Sequence, residues 1–220
     1  GKAERKRKGE ERDEEGDVPG VVSYRNLAAG VFRYDINGLV HGVFLEKVAG
    51  RLRLQRLLSG FIEARNVRSA DSGGVKFDRV FPGRDDSVGV SSNDGFTNVP
   101  FHRTEFVAET ITAYFNLDLA TLRGYGLPRL GSDNGGLSAP ERLVVSLSLW
   151  KVLSFLDRGL RLRTACDLSC DGLAVTSPDG VELPALADVE AAVREHLDAC
   201  QGLFAGKTSI QWTPKKKGKK

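Results

Sequence analysis

The segment SADSGGVKFDR, Ser69–Arg79, gathers groups suited to holding a phosphate. Paired Gly73 and Gly74, beside Ser72, let a backbone come close and present its amides, while Lys76 and Arg79 supply charge. Glycine pairs are also common in loops, so an ordinary turn opening a hairpin fits the same residues. Arg51, Arg53 and Arg56 lie close together near the start of a predicted helix, with Arg65 and Arg68 beyond. These are five arginines in eighteen residues, opposed only by Glu63. That makes either a basic face for phosphates or a solvated helix face. Tyr24–Arg25–Asn26 and His102–Arg103 are flanking candidates, in which a ring stacks on a splayed base while arginine holds the backbone. Phe96 and Val99, with Phe101, sit beside the polar loop from Phe81 to Asn98. They could wedge between bases, or anchor the loop to the core.

The inventory for catalysis is thin. His41 falls in an apolar predicted strand and reads as a satisfied core histidine. His102 could act as a general base, yet no residue at a fixed spacing accompanies it. Cys166 and Cys170 lack the second pair that a zinc site needs, so no metal and no cofactor are expected. No catalytic residue is assigned.

The elements that must position these groups alternate between strand and helix. Gly38–Glu46 reads as a strand. Arg51–Val67 reads as a helix, because Leu54, Leu57, Leu58, Phe61 and Ile62 recur at helical spacing. Ser69–Arg103 is too long for a structureless loop, and reads as a functional loop or a hairpin excursion. Phe106–Leu119 alternates as a strand, with Val107, Ile111, Phe115, Leu117 and Leu119 on one face and Glu109 interrupting it. Ser138, Pro140 and Glu141 signal a capped start to a helix over 139–158 that is apolar on nearly every side. Leu160–Ser169 and Leu173–Ser177 read as strands, and Leu186–Cys200 as an amphipathic helix. With no repeated Rossmann signature, the mixture predicts an α+β fold with an antiparallel sheet.

Bulk properties narrow the classes. The chain has 220 residues, 40% hydrophobic and 28% charged, enough for one real core. No apolar run reaches the roughly 18–20 residues that a membrane span needs, and nothing at the start resembles a signal peptide. Three cysteines, Cys166, Cys170 and Cys200, are too few for a disulfide framework, which points to a reducing cytoplasm. Net charge is +3, but residues 207–220 alone carry six lysines and no acid. Residues 1–17 hold six basic and seven acidic side chains, and the body holds twenty basic against twenty-two acidic. Nucleic-acid binding must therefore rest on local clusters, not on overall charge. Residues 1–20 are expected to be a disordered charged arm or loop, and 207–220 a disordered basic tail. The absence of methionine, even at position 1, points to a processed product or a fragment.

Three stretches carry a resemblance beyond composition: YRNLAAGVFRYDINGLVHGVFLEKVAGRLRLQRLLSGFIEA, then SGGVKFDRV with GFTNVPFHRTEFVAETITAYFNLDLATLRGYGL, then ERLVVSLSLWKVLSFLDRGLRLRTACDL. Together they resemble the backbone subunit of type I-U (type I-G) CRISPR complexes, in the RAMP superfamily, over about Ser23–Cys200. The resemblance implies a modified RRM-like, ferredoxin-type palm over 21–206, with an inserted finger region and a thumb-like hairpin at about 76–100. It implies a non-catalytic subunit of a Cascade complex that binds CRISPR RNA and stacks with further copies of itself and other subunits. Target DNA would be met through the guide. It favours RNA contact over the ordinary turn for Ser72–Lys76. No counterpart to the family's opening palm strand is expected before Ser23. Asp78, Asp85, Asp86 and Asp94 matter because a loop aspartate cleaves RNA in type III relatives, whereas type I backbones are not nucleases. The rival readings are a stand-alone ferredoxin-like RNA binder and a type III-like RNA-cleaving subunit.

Overall fold

The computed structural model describes residues 22–46, 51–77, 98–130, 136–163, 166–207, 209 and 211–212, with backbone alone at 76–77, 98–99 and 163. The charged arm 1–20, Arg79, Phe96, the loop aspartates and most of the basic tail lie outside the described residues. The chain forms two compact units: one is Gly60–Phe115, and the other comprises the residues on either side of it.

The larger unit opens with α1 (Tyr24–Tyr34), begun by Ser23, whose hydroxyl accepts from the Asn26 amide at 3.3 Å. Leu27, Ala28, Val31 and Phe32 fall on one helical face and face the core. Asp35 ends α1 and caps the short α2 (Ile36–His41), accepting from the Asn37 amide at 3.1 Å. Gly42 then turns the chain with φ 81° and ψ 152°, a region that essentially only glycine enters. A Cβ there would lie 3.1 Å from both the Arg56 nitrogen and the Leu54 oxygen. The turn feeds β1 (Val43–Leu45), which pairs antiparallel with β2 (Leu52–Leu54), Phe44 opposite Arg53.

Here the structure corrects two expectations. Gly38–His41 is helical, so only the second half of the expected strand 38–46 is extended. Arg51–Val67 is not a helix but β2 followed by β3 (Leu58–Arg65). Its apolar spacing imitates a helix because two short strands with a linker set buried residues at 54 and 57, while Phe61 and Ile62 are exposed. These residues never share one face.

After β3 come β4 (Arg68–Phe77), β5 (Asn98–Val107) and β6 (Thr110–Leu117). β4 pairs antiparallel with β5, and β3 pairs with β6. The expected excursion over 69–103 is thus a hairpin in its described part. Ten residue pairs join β4 and β5, so this stretch is about 30–34 Å long. The junction between β3 and β4 carries Asn66 at φ 51°. Its side-chain amide donates to the Glu109 carboxylate at 2.7 Å, and the Glu109 amide donates to the Arg65 carbonyl at 3.2 Å. Glu109, the residue that interrupts the apolar face of 106–119, therefore clamps the bend.

The chain returns through α3 (Leu119–Gly124), capped by Asp118, to α4 (Ala139–Asp157). At its start the Ser138 amide donates to the Glu141 carboxylate at 2.7 Å, with Pro140 in the first turn. β7 (Leu160–Arg163) and β8 (Cys166–Leu168) form a small antiparallel hairpin, and α5 (Leu186–Ala199) packs on α4. Leu173–Ser177 is not a strand. The core joins Phe32, Leu39, Val40, Leu57, Leu122, Leu143 and Val144, each large side chain stabilising the fold by about 1.5–3 kcal/mol. The fold is α+β; among the described residues it holds four two-stranded sheets and no four-stranded palm sheet. Among them, too, no helix is long and apolar enough to cross a membrane.

Gly42→Ala is expected to lower the free energy of unfolding by about 1–3 kcal/mol. Gly30→Ala, in mid-helix with nothing within 4 Å of the added carbon, is expected to gain up to about 1 kcal/mol. Urea melts of both variants check this; wild-type stability in Gly42→Ala would contradict the tight-turn account.

Candidate nucleic-acid interface

The structure sorts the candidate residues into three places. The first is the β4–β5 hairpin. Its register sets Ser72 opposite Arg103, Gly73 opposite His102 and Gly74 opposite Phe101, with the Lys76 backbone opposite that of Val99. Two candidate segments far apart in sequence are therefore neighbours. Directly opposed residues share a face and successive residues alternate, so Ser72, Gly74, Arg103 and Phe101 lie on one face, and Asp71, Gly73, His102 and Thr104 on the other.

The glycine pair sits in mid-strand, not in a turn. A Cβ on Gly73 would stand 2.9 Å from the Phe101 carbonyl oxygen, and one on Gly74 would stand 3.2 Å from the Phe101 ring. Both positions are thus small because the opposite strand and its ring come close. Arg103 is held in an ion pair with Glu105 on its own strand, which partly neutralises it. His102, for which no partner was expected, lies 3.8 Å from Asp71, and the Thr104 hydroxyl donates to the same carboxylate at 3.2 Å. The His102 and Asp71 side chains are both largely exposed, 73% and 72%, so this contact contributes little to stability.

The second place is a trough of about 700 Å³ lined by His41, Phe44, Arg53, Gln55 and Arg56. Leu54 and Leu57 are buried, which turns the intervening Gln55 and Arg56, and Arg53 before them, outward. The Arg53 guanidinium lies 5.0 Å from the centre of the exposed Phe44 ring, a cation–π contact. Tyr125, whose hydroxyl donates to the Gln55 carbonyl at 2.6 Å, and Asp118, whose amide donates to the Leu57 carbonyl at 2.9 Å, fix the linker. Arg51 precedes β2 with φ 82° and is exposed. An exposed ring beside guanidinium groups can stack on a base while the charges hold phosphate. Phe44 was missed in the sequence; the alternation of Val43–Leu45 against Leu52–Leu54 carried the signal.

The third place holds Arg25 and Asn26, in the first turn of α1. The Asn26 amide is committed to the Ser23 cap. Arg25 lines a separate cleft with Arg123 and Arg129.

His41 is not a core histidine. It ends α2, is exposed, and its Nε2 lies 2.7 Å from Lys151 Nζ, which also donates to Asn37 Oδ1 at 2.5 Å. A lysine ammonium only donates, so Nε2 is the unprotonated ring nitrogen. Partial burial, then the Lys151 charge, lower the His41 pKa, with Asp35 opposing. Burial likewise lowers that of Lys151. The three cysteines are free thiols, and among the described residues no group of three or more His, Cys, Asp or Glu could hold a metal ion.

Comparison with known proteins adds one finding. Residues 4–69 match the family model described as CRISPR-associated protein GSU0053 (Cas_GSU0053). That stretch takes in α1 to β3 and the first residues of β4, and so Arg25, Asn26, Arg51, Arg53 and Arg56; the paired residues 72–74 and 101–103 lie beyond it. It also reaches back to residue 4, where no family counterpart was expected before Ser23. No curated protein matches the chain.

The His41 geometry predicts an acid-side loss of stability. Its folded pKa is below the unfolded value of 6.5, so the unfolded chain binds the proton more readily. The contribution is fully present above about pH 6.5 and is lost as pH falls toward the lowered folded value. Urea melts from pH 5 to 8 should show this slope, flattened in His41→Gln. An unchanged slope in that variant would remove His41 as its source.

Proposed function

We propose that this chain is a non-catalytic backbone subunit of a type I CRISPR surveillance complex, of the type I-U kind. It binds CRISPR RNA, multimerises along it with other Cascade subunits in the cytoplasm, and presents the guide for pairing with target DNA. The observation that carries the reading is the CRISPR-associated match over residues 4–69, which contains Arg53, Arg56 and the adjoining Phe44. Phosphate contacts by these residues would accept any guide sequence, leaving recognition to base pairing. In this reading the β4–β5 hairpin rises toward the thumb-like loop at about 76–100, and Ser72, Gly74, Lys76 and Arg103 meet the guide backbone. The helices and the remaining strands form a divergent RRM-like palm over 21–206. Single-copy affinity is modest, and stacking along one RNA supplies avidity.

One contact favours a second reading, that of an RNA-cleaving subunit: His102 with Asp71 is an imidazole beside a carboxylate on an exposed face. Among the described residues the pair belongs to no group of three or more His, Cys, Asp or Glu that could hold a metal ion, and we assign it to positioning.

Four outcomes are expected. RNA co-purified with the chain and sequenced should be enriched in CRISPR spacers of defined length with a repeat-derived end; random cellular RNA would sink the proposal. Lys76→Ala should weaken RNA binding regardless of sequence and lower the salt slope of log K by about 0.7. Gly73→Ala should cost more thermal stability than Gly74→Ala, because backbone yields less readily than the Phe101 ring. An unchanged RNA affinity for Lys76→Ala at every salt concentration would remove this lysine from the site. Labelled RNA incubated with divalent metal should stay intact; cleavage abolished by Asp71→Ala or His102→Ala would establish the second reading.

A further inference from the structure

The larger unit contains a cleft of about 450 Å³ bounded by the first turn of α1, the end of α3 with the segment after it, and the residues that lead into α4. Arg25, Arg123 and Arg129 all line it. No ion pair or hydrogen bond to any of the three guanidinium groups is made by the described residues. The one acid among the described residues of the cleft, Glu141, is buried and spends an oxygen on the Ser138 amide at the start of α4. Among the described residues, three cations thus share one cleft with a single, committed carboxylate, for a formal charge of +2.

The backbone is shaped for this arrangement. Gly126 has φ 57°, and a Cβ there would stand 2.8 Å from Arg25 Nε and 3.3 Å from its Nη2. The Arg25 guanidinium therefore lies against a bare Cα, a position that any side chain at 126 would deny it. Guanidinium is planar and offers paired N–H donors that match two oxygens of a phosphoryl group. Like charges gathered without counterions repel by up to about 1 kcal/mol per pair at contact in water, and a bound anion relieves this.

We infer that this cleft is a phosphoryl site, and that it takes a terminal phosphate in preference to an internal phosphodiester. The charge decides between them: a phosphomonoester carries about −1.5 to −2 at neutral pH and complements +2, whereas a diester carries one charge and has one fewer free oxygen for the third guanidinium. A cleft of this volume also has room for the nucleoside attached to the phosphate. The inference does not depend on the backbone-subunit reading, since the phosphate could end an RNA strand or belong to a free nucleotide.

The test is a calorimetric titration of the full chain at constant ionic strength. The probes are a tetraribonucleotide with a 5′-phosphate, the same tetramer with a 5′-hydroxyl, a nucleoside monophosphate and inorganic phosphate. A preference of about tenfold or more for the phosphorylated tetramer over its hydroxyl form is expected, the worth of one charge-assisted hydrogen bond. That preference should vanish in Arg123→Gln/Arg129→Gln and shrink in Gly126→Ala. Arg123→Lys/Arg129→Lys, which keeps charge but loses the paired donors, should retain part of it and serves if the glutamine variant unfolds. Competition by the nucleoside monophosphate as strong as by the phosphorylated tetramer assigns the site to free nucleotides; weaker competition assigns it to strand ends. Equal binding of the two tetramers by the wild-type chain, or a full preference surviving in a folded double variant, overturns the inference. Failure to recover spacer RNA from the complex would sink the backbone reading and leave this result standing.

Discussion

At Gly42 the chain passes so near the backbone of Leu54 and Arg56 that a side chain would be crowded as well as strained. Much of the larger unit follows from that close approach. It ends α2, places His41 beside Lys151, and starts β1 in the register that lays Phe44 opposite Arg53. The Leu57 amide, which donates to the Val40 carbonyl at 3.1 Å, ties the far side of the same turn. Burial of Leu54 and Leu57 then dictates which neighbours face water. The arginines of the trough are thus outward because the leucines between them are inward.

The smaller unit is governed by a different economy. A two-stranded hairpin in water is marginal on its own, and this one leaves Phe61, Val75, Phe101, Phe106 and Ile111 substantially exposed. Phe61 stacks on Tyr114 with centroids 4.8 Å apart, so these two rings cover each other. Apolar exposure on this scale is characteristic of surfaces that meet other molecules. The same register that pairs Ser72 with Arg103 also separates the candidate residues into two faces, so a single ligand lying on one face meets only half of them.

How much of this was legible beforehand depended on how local the signal was. α4 announced itself through Ser138, Pro140 and Glu141, and α5 through its periodicity; both involve residues within a turn or two of each other. Phe106–Leu119 alternated plainly, yet it is not one strand: β5 ends at Val107, β6 runs Thr110–Leu117, α3 begins at Leu119, and Glu109, its one blemish, marks the bend. Arg51–Val67 failed because leucines from two strands and a linker fell at helical spacing by coincidence, and only the tertiary close approach at Gly42 distinguishes the alternatives. The candidate site suffered similarly. Arginine clusters could be found by eye, but the pairing of 72–74 with 101–103 depends on a register across some twenty intervening residues. The partnership of His102 with Asp71, the stacking of Arg53 on Phe44 and the gathering of Arg25 with Arg123 and Arg129 depend on folds of the chain that no spacing encodes.

The clamp at Asn66 has a mechanical consequence. Everything from Arg68 to Phe77 and back from Asn98 to Val107 extends from that one bend, so the hairpin is a lever whose pivot is a left-handed residue, one side-chain hydrogen bond and the backbone bond from Glu109 to Arg65. Over a reach of about 30–34 Å, a rotation of roughly ten degrees at the pivot displaces the far end by about 6 Å, close to the spacing of successive phosphates in an extended single strand. The short contact between Asn66 and Glu109 thereby sets the aim of the whole arm.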